Sequence, residues 1–244
     1  MTDAVWKNPA IARRFLRGVR GGIPFVAAQI EILIRIIQAR GEPLGSVADL
    51  GCGDGILAAA ILTRYPKASA TLVDFSEPMM AQARARFRGR RSVRLVMADL
   101  GSPKWTRAVS DRAPFDLIVS GFAIHHQPDR RKKRLYGEIF SLLKPGGLFL
   151  NTEHVSSPTP WIESICDNLI IDSLHRFHQS QGSRKSRKQV ADEFVHRPDK
   201  AANILAPVER QCGWLCRLGF QDVDCYFKVF EIAIFGGRRP PAPV

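Results

Sequence analysis

The sequence lacks any apolar run of membrane-spanning length, and it contains few cysteines. No uninterrupted apolar segment reaches the roughly 18 residues that a bilayer span requires, and the N-terminus lacks the apolar core of a signal peptide. We therefore expect a protein of the cytoplasm that has no membrane partner. The cysteines are odd in number and form no CxxC pair, which predicts reduced thiols and no zinc site; they are Cys52, Cys166, Cys212, Cys216 and Cys225.

Acidic residues are also scarce, since 23 Asp and Glu face 36 Lys and Arg, and the net charge is +13. The excess is concentrated in three basic runs, 84–94, 130–134 and 184–188. Such a charge attracts anions in general, nucleic acid included. The runs match no nucleic-acid-binding motif, so we interpret them mainly as solvated helix faces and rank a nucleic-acid partner second to a small molecule.

Short apolar runs alternate with helical patterns along most of the chain, which predicts βαβ units and an α/β fold. We predict a seven-stranded, mostly parallel, doubly wound sheet that ends in an antiparallel hairpin. An N-terminal helical cap is expected over residues 1–40 and a cofactor-binding domain over 41–237. Within that domain, residues 156–200 break the alternation and predict a helical insertion that acts as a lid. The tail, 238–244, is rich in proline and is expected to be disordered.

The stretch VADLGCGDG, residues 47–55, has glycine at alternate positions between the first predicted strand and a helix. One glycine is enough for a tight turn, whereas Gly51, Gly53 and Gly55 together let a ligand lie directly on the main chain. In an open parallel sheet, ligands bind outside the carboxyl ends of the strands. A dinucleotide fingerprint starting at Gly51 requires glycine at position 56, which is Ile56, so no pyrophosphate cradle is indicated.

An aspartate lies at or just beyond the end of three successive predicted strands: Asp49, Asp74 and Asp99. One such acid is often only a helix cap. Three in succession provide acceptors for an ammonium, a vicinal diol and an exocyclic amine. S-adenosylmethionine carries all three groups and is the predicted cofactor.

Five motifs in order resemble the class I S-adenosylmethionine-dependent methyltransferases over about residues 15–237; they are VADLGCGDG, LVDFSEPMMAQAR, VRLVMADL, FDLIVSGFAIHH and LLKPGGLFLNTE. The resemblance implies which residues hold each part of the cofactor. The methionine end would contact Asp49, Gly51, Cys52 and Gly53. Asp74 would bind the ribose hydroxyls, and Phe75 and Met79 would pack against adenine. Asp99 and Leu100 would lie at the adenine amino edge, and Ser120 would lie beneath the cofactor.

Residues that follow the fourth and fifth strands are candidates for the acceptor side. His125 and His126 follow the fourth strand, and either is a possible proton acceptor if the acceptor is a hydroxyl or a protonated amine. Glu153 and His154 follow the fifth strand, and Glu153 is the preferred lining residue. Trp161, on the predicted insertion, is a further candidate for the acceptor pocket.

The segment RGGIPFVAAQIEIL resembles the N-terminal part of one branch of the family, which includes the enzymes that make carboxy-S-adenosylmethionine for tRNA wobble-uridine modification. In that branch an arginine and an Ile/Val-Pro-Gly-Tyr sequence close over the cofactor, whereas here Phe25 and Val26 replace Gly-Tyr. We place Phe25 in the predicted substrate pocket. No metal is expected, since His175 and His178 have no third ligand in sequence.

The predicted function is methyl transfer to an oxygen or nitrogen of a small-molecule acceptor by a monomer or homodimer. The alternatives are an RNA-modifying enzyme, a carboxy-S-adenosylmethionine-type enzyme, and a cofactor-binding module without methyl transfer. The acceptor site is expected between residues 9–30 and the insertion 156–200.

Overall fold

The computed structural model describes residues 2–16 and 20–242. The strands are β1 (Ser46–Leu50), β2 (Ser69–Asp74), β3 (Val93–Met97), β4 (Phe115–Gly121), β5 (Leu143–His154), β6 (Gln221–Val229) and β7 (Ile232–Arg238). The α-helices are α1 (Pro9–Arg14), α2 (Val26–Gln38), α3 (Ile56–Arg64), α4 (Glu77–Arg86), α5 (Trp105–Val109), α6 (Asp129–Leu142), α7 (Pro160–Ser180), α8 (Arg187–Val195) and α9 (Val208–Arg217). None of these helices is both long and apolar enough to cross a membrane.

The strands form one sheet in the order β3-β2-β1-β4-β5-β7-β6. Strands β1 to β5 are parallel, and β7 pairs antiparallel with both β5 and β6. The predicted seven-stranded sheet with a C-terminal antiparallel hairpin is therefore confirmed. The strand order reverses between β1 and β4, and in this topology the carboxyl ends of those strands flank a crevice.

Helices cover both faces of the sheet because successive strand side chains point to opposite sides. In β4, Ile118 packs with one core and its neighbours Leu117 and Val119 pack with the other. The first core includes Trp105 and Tyr136, on α5 and α6. Both faces being covered explains why these strands read as nearly continuous apolar runs.

The stretch LKPGG, part of the last of the five motifs, lies inside β5. The pairing with β4 shifts register between Phe115 and Leu117, which is a local bulge. Gly146 has φ 76°, a left-handed conformation that favours glycine. Its N–H donates to the carbonyl of Arg239, so the tail that was expected to be disordered begins with residues hydrogen-bonded to β5. Residues 243–244 of that tail lie outside the described residues.

The insertion consists of α7 and α8, which share a small core of their own. Thr159 caps α7 by accepting from the N–H of Ile162, and Ser186 begins α8 in a capping box. The N-terminal segment passes close to α7 at Gly21 and Gly22. A Cβ at Gly21 would lie 2.3 Å from the Phe177 ring, so glycine is required there for the close approach of the two segments.

The basic run 130–134 is only partly solvated, which corrects the expectation for that segment. Lys132 is fully buried and donates to the carbonyl of Ile204 and to Asp129. Arg131 is also buried and forms a bidentate ion pair with Glu138 at 2.6 and 2.7 Å. Two of the five cations in this run therefore stabilise the fold and are not available to an anionic partner.

Candidate cofactor and acceptor site

A cavity of about 250 Å³ opens at the carboxyl ends of β1, β2, β4 and β5. The N-terminal segment and the insertion also contribute to its walls, through side chains that include Trp6, Phe15, Ile170 and Phe194. Every predicted cofactor residue except Ser120 lines it. The parallel topology thus brings the strand-end residues to one place, as expected from the sequence.

The glycine loop forms the cavity floor after β1. All three of its glycines have positive φ, 64° at Gly51, 56° at Gly53 and 78° at Gly55. A Cβ at Gly51 would lie 2.2 Å from the Ala123 Cβ, so the loop packs directly on the chain that follows β4. A Cβ at Gly53 would meet only Met79 Sδ, at 4.0 Å, so a side chain there would take up cavity space. Glycine keeps this floor open to a ligand.

Asp49 is the buried acid beneath this loop. Its Oδ2 accepts from the N–H of Ala58 at 3.1 Å, whereas its Oδ1 is buried without a hydrogen-bond partner among the described residues. Burial raises the pKa of Asp49 to about 7, the Ala58 bond opposes that rise, and the nearby Asp74 and Asp54 add to it. An unsatisfied buried carboxylate oxygen of this kind is suited to a cationic or hydrogen-bond-donating ligand.

Asp74 links the end of β2 to the glycine loop. Its Oδ2 accepts from Gly53 N and its Oδ1 from Ser76 N, both at 2.8 Å. The N–H of Phe75 also hydrogen-bonds this carboxylate, which has about four acceptor sites, so the side chain can still accept from a diol. Burial raises the pKa of Asp74. Phe75 and Met79 line the cavity beside it, with the Lys7 Nζ 5.7 Å from the centre of the Phe75 ring.

Leu100 and Asp99 form the wall that follows β3. Asp99 Oδ1 accepts from Gly101 N at 2.7 Å, which leaves its other oxygen available. Cys52 is buried, lines the cavity and lies 3.8 Å from Met80 Sδ, so it provides an apolar surface. Burial raises the pKa of the Cys52 thiol well above its usual range, which keeps it protonated.

Ser120, predicted beneath the cofactor, does not line the cavity. It is fully buried inside the sheet, and its Oγ donates to the carbonyl of Leu50 at 2.8 Å. The bond joins β4 to β1, so this hydroxyl is used to hold the two strands that flank the crevice. Its position at a strand end was correctly recognised, but the side chain points into the sheet.

His125 and Glu153 form a buried imidazole–carboxylate pair. His125 Nδ1 lies 2.5 Å from Glu153 Oε1, and the backbone N–H of His125 donates to Oε2 at 3.0 Å. Burial raises the pKa of Glu153 to about 7 and lowers the pKa of His125 well below its usual range. Because the N–H groups of Asn151 and His154 also point at it, Glu153 receives donors only. This arrangement favours the carboxylate with a neutral imidazole, which is the form that accepts a proton.

His126, the other predicted catalytic residue, has both ring nitrogens bonded within the protein. The Trp6 indole N–H donates to His126 Nε2 at 3.0 Å, and His126 Nδ1 lies 3.1 Å from the carbonyl of Ala202. The Trp6 carbonyl also accepts from Ser76 Oγ at 2.6 Å. His126 therefore fastens the N-terminal 3₁₀ turn Thr2–Lys7 over the cavity, and sequence spacing gave no signal for this contact across 120 residues.

Of the pair Glu153 and His154, it is His154 that lines the cavity, which corrects the preference stated from sequence. Glu153 is fully buried beside His125 and does not reach the cavity surface. His154 Nε2 lies 2.9 Å from Glu231 Oε2, a second imidazole–carboxylate pair. The two imidazole rings, of His125 and His154, lie 5.8 Å apart between centroids.

Two further acceptor-pocket predictions fall outside the cavity walls. Trp161 lies on α7 with 72% of its surface exposed, and Phe25 caps α2 with 47% exposed and a φ of 61°. Their neighbours in the fold provide the walls: Pro24 and Val26 flank Phe25, and Ile170 lies further along α7. The predictions for Phe25 and Trp161 thus named the correct segments, but other side chains of those segments face the cavity.

Several polar wall residues were not anticipated, among them Arg197 and Asn203. Arg197 and Asn203 follow α8 and line the cavity, and the Asn203 side chain hydrogen-bonds His125. The Arg197 guanidinium lies 4.1 Å from the centre of the Phe194 ring and donates to the Phe194 carbonyl. Within the described ranges no cluster of His, Cys, Asp and Glu has the geometry of a metal site.

The cavity fits S-adenosylmethionine. The unpartnered Asp49 oxygen suits an ammonium, and the open main chain at Gly53 suits close approach of a ligand. Asp74 offers lone pairs for a diol beside the apolar surfaces of Phe75 and Met79. Each of these features is built from this chain's own residues.

Comparison with known proteins agrees with this fold. Residues 47–147 match the family described as a methyltransferase domain. The demethylmenaquinone methyltransferase of Leptospira interrogans is 34% identical over 136 residues, which cover 55% of this chain and 53% of that protein. The match thus spans about half the length of that curated relative. The carboxy-S-adenosyl-L-methionine synthase of Pseudoalteromonas translucida is 21% identical over 221 residues, 87% of this chain and 84% of that protein.

Solved structures share the fold at low identity. Human N-acetylserotonin methyltransferase, determined in complex with SAM, aligns with a TM-score of 0.62 at 16% identity, covering 97% of this chain and 58% of that one. An O-methyltransferase family protein from Burkholderia thailandensis aligns with a TM-score of 0.60 at 17% identity, covering 94% of this chain and 63% of the other. These similarities concern the architecture.

Proposed function

We propose that the chain transfers a methyl group from S-adenosylmethionine to an oxygen or nitrogen of a small-molecule acceptor, in line with the match of residues 47–147 to a methyltransferase domain. One observation carries the proposal: a single cavity joins the glycine loop and the strand-end acids to the His125–Glu153 pair. Cofactor-binding chemistry and proton-accepting chemistry thus share one enclosed space. The acceptor would be small because the cavity is covered by the N-terminal segment and the insertion.

The cofactor half is built from groups that bind and orient. When bound, S-adenosylmethionine supplies an electrophilic methyl group on a sulfonium that is already a good leaving group. The protein's main task is therefore alignment. Asp49 would hold the ammonium and Asp74 the ribose hydroxyls, with Phe75 and Met79 against the adenine. Asp99 and Leu100 complete this wall.

The acceptor half uses His125 as the proton acceptor. Glu153 keeps Nδ1 of the ring protonated and fixes its orientation, so Nε2 is the nitrogen that can take a proton from an acceptor hydroxyl or ammonium. The Asn203 side chain, which bonds the ring in this structure, would yield to the acceptor. His126 is a positioning residue, since both of its ring nitrogens are already bonded.

The cavity walls favour an acceptor with an apolar body. Ile170 and Phe194 line the cavity from the insertion, Ile232 lines it from the start of β7, and Phe15 and Leu16 line it from the N-terminal segment. Such walls exclude water and help hold nucleophile and methyl group in line. The cover would have to open for exchange of cofactor and acceptor.

Calorimetry with S-adenosylhomocysteine tests the cofactor half. We expect binding to the wild type, and Asp74→Ala should weaken it by about 1–3 kcal/mol, the cost of a lost hydrogen bond to a charged group. His125→Ala should keep wild-type affinity for S-adenosylhomocysteine but lose methyl transfer to the acceptors found in a metabolite screen with labelled cofactor. Trp161→Ala is the matched surface control and should change neither quantity. No binding at millimolar ligand would contradict the proposal.

A second candidate is an enzyme of the carboxy-S-adenosylmethionine type. Two observations favour it: the match to a synthase of that compound runs over most of both chains, and Arg197 lines the cavity with its Nε 3.5 Å from Asp199 Oδ2, a pair that a ligand carboxylate would join. A guanidinium is the side chain best suited to a carboxylate. If this candidate is correct, carboxy-S-adenosylmethionine binds more tightly than S-adenosylmethionine, and Arg197→Gln abolishes the difference. Equal affinities would favour ordinary methyl transfer.

A further inference from the structure

A second imidazole faces the acceptor end of the cavity, and the proton transfer described above makes no use of it. His154 is the last residue of β5, and its side chain is 17% exposed toward the cavity that it lines. In the sheet order, β5 lies one strand further from the glycine loop than β4. His154 is therefore further from the cofactor side than His125, on the far wall of the acceptor space.

Glu231 fixes the orientation of this second ring. It lies in the turn between β6 and β7, is 3% exposed, and accepts from Ser157 N at 3.1 Å as well as from His154 Nε2. The hydrogen bonds from His154 and Ser157 hold its pKa below the usual value despite burial, so it is a carboxylate. With Nε2 engaged, Nδ1 of His154 has no hydrogen-bond partner within the described part of the chain.

The two oriented imidazole rings, of His125 and His154, lie close together. Their centroids are 5.8 Å apart and their planes are nearly perpendicular, at 71°. A hydrogen bond from each ring spans roughly 2.7–3.2 Å between heavy atoms. Oxygens on adjacent or next-but-one carbons of one ring are close enough together for each to reach one of these two imidazoles.

We propose that His154, oriented by Glu231, binds a second oxygen of the acceptor beside the oxygen that is methylated. The acceptor class is then an apolar ring that carries two neighbouring oxygen functions, such as two hydroxyls or a hydroxyl and a carbonyl. The apolar walls at Ile170, Phe194 and Ile232 accommodate the ring. This inference rests on the proposed methyl transfer, because it assigns the second contact of the same acceptor. His154 acts in it as a specificity-determining residue.

The test uses protein saturated with S-adenosylhomocysteine and two probes, 2,3-dihydroxynaphthalene and 2-naphthol, titrated by calorimetry. We expect the wild type to bind the diol about tenfold more tightly than the mono-ol, as one added hydrogen bond to an oriented ring would give. His154→Ala should reduce the affinity for the diol to that for the mono-ol and leave the mono-ol unchanged. His154→Asn, which keeps a polar group near the Nδ1 position, should restore part of the preference. Trp161→Ala is the control and should retain all of it.

The outcomes separate this inference from the proposed function. Unchanged affinity for S-adenosylhomocysteine shows that each variant is folded and that the cofactor half is intact. Equal binding of the two probes by the wild type overturns the inference, as does a preference that survives in His154→Ala or a failure of both probes to bind. Absence of S-adenosylhomocysteine binding would instead overturn the proposed function.

Discussion

Asp49 couples ligand binding to pH, and the size of the effect follows from its surroundings. Burial raises its pKa to about 7 in the ligand-free protein. The carboxylate form is the one that an ammonium stabilises, so binding below pH 7 requires release of a proton. The apparent dissociation constant then scales as one plus the ratio of protonated to ionised Asp49. With a pKa of about 7, S-adenosylhomocysteine should bind about tenfold more weakly at pH 6 than at pH 8.

Calorimetry in buffers of different ionisation enthalpy measures both the affinity and the protons released. The wild type should release close to one proton per ligand at pH 6 and close to none at pH 8. Asp49→Asn, which retains an acceptor for the Ala58 N–H but cannot ionise, should bind about thirtyfold more weakly at pH 8, from about 2 kcal/mol for a hydrogen bond to a charged group. Its affinity should not change with pH.

Glu153→Gln is the control, because Glu153 also has a pKa of about 7 but contacts His125 and not the cavity wall. This variant should retain the tenfold dependence. A wild-type affinity that is constant between pH 6 and 8, or a dependence that persists in Asp49→Asn, would refute the assignment of the proton to Asp49.

The raised pKa of Asp49 also makes the stability of the folded protein depend on pH. An acid whose pKa is higher in the folded state than in the unfolded chain contributes stability that is fully present below the unfolded pKa and is lost as pH rises through the folded value. Asp49 and Glu153 both belong to this class, with shifts from 3.8 and 4.5 to about 7. The ligand-free protein should therefore lose stability by about 1.4 kcal/mol per pH unit and per group as pH approaches 7. S-adenosylhomocysteine should offset the part due to Asp49.

Two further predictions concern the chemistry and the loop. The rate of methyl transfer at limiting acceptor should rise as pH increases through about 7, because ionised Glu153 is the form that supports His125 as a base. Glu153→Gln should abolish this rise. A flat wild-type profile would argue against a role for the His125–Glu153 pair. Gly55→Ala should lower the melting temperature by more than Gly41→Ala, since both glycines have positive φ but only at Gly55 would the Cβ lie 2.5 Å from the Phe87 ring; equal losses in the two variants would show that packing there relaxes.

Much of the cofactor side was predictable from sequence because it depends on local patterns and one rule of topology. Apolar runs identify the strand residues, and the spacing of the glycines identifies the glycine loop. Once the strands are parallel, their carboxyl ends meet at one edge, so Asp49, Asp74 and Asp99 are brought near each other without further information. The sequence could not show that Ser120 faces the sheet, because a serine at a strand end is compatible with either direction.

The acceptor side depended on contacts between residues far apart in the chain, and only the tertiary structure decided it. Sequence placed His125 and His126 side by side and gave no means to separate them. Glu153 pairs with one, whereas Trp6, 120 residues away, bonds the other. His154 lines the cavity and Glu153 does not, and the carboxylate that orients His154 belongs to Glu231, in a hairpin 77 residues later.

The burial of charged residues in the run 130–134 was also decided by tertiary contacts. The run at 130–134 looks solvated in sequence because nothing local shows that Lys132 will meet the carbonyl of Ile204. Composition therefore determined the class of protein, and strand and glycine patterns determined the fold and the cofactor loop. Which side chains face the acceptor was decided by packing of the N-terminal segment and the insertion onto the sheet, since hydrogen-bond partners are selected by proximity in space and local sequence does not encode them.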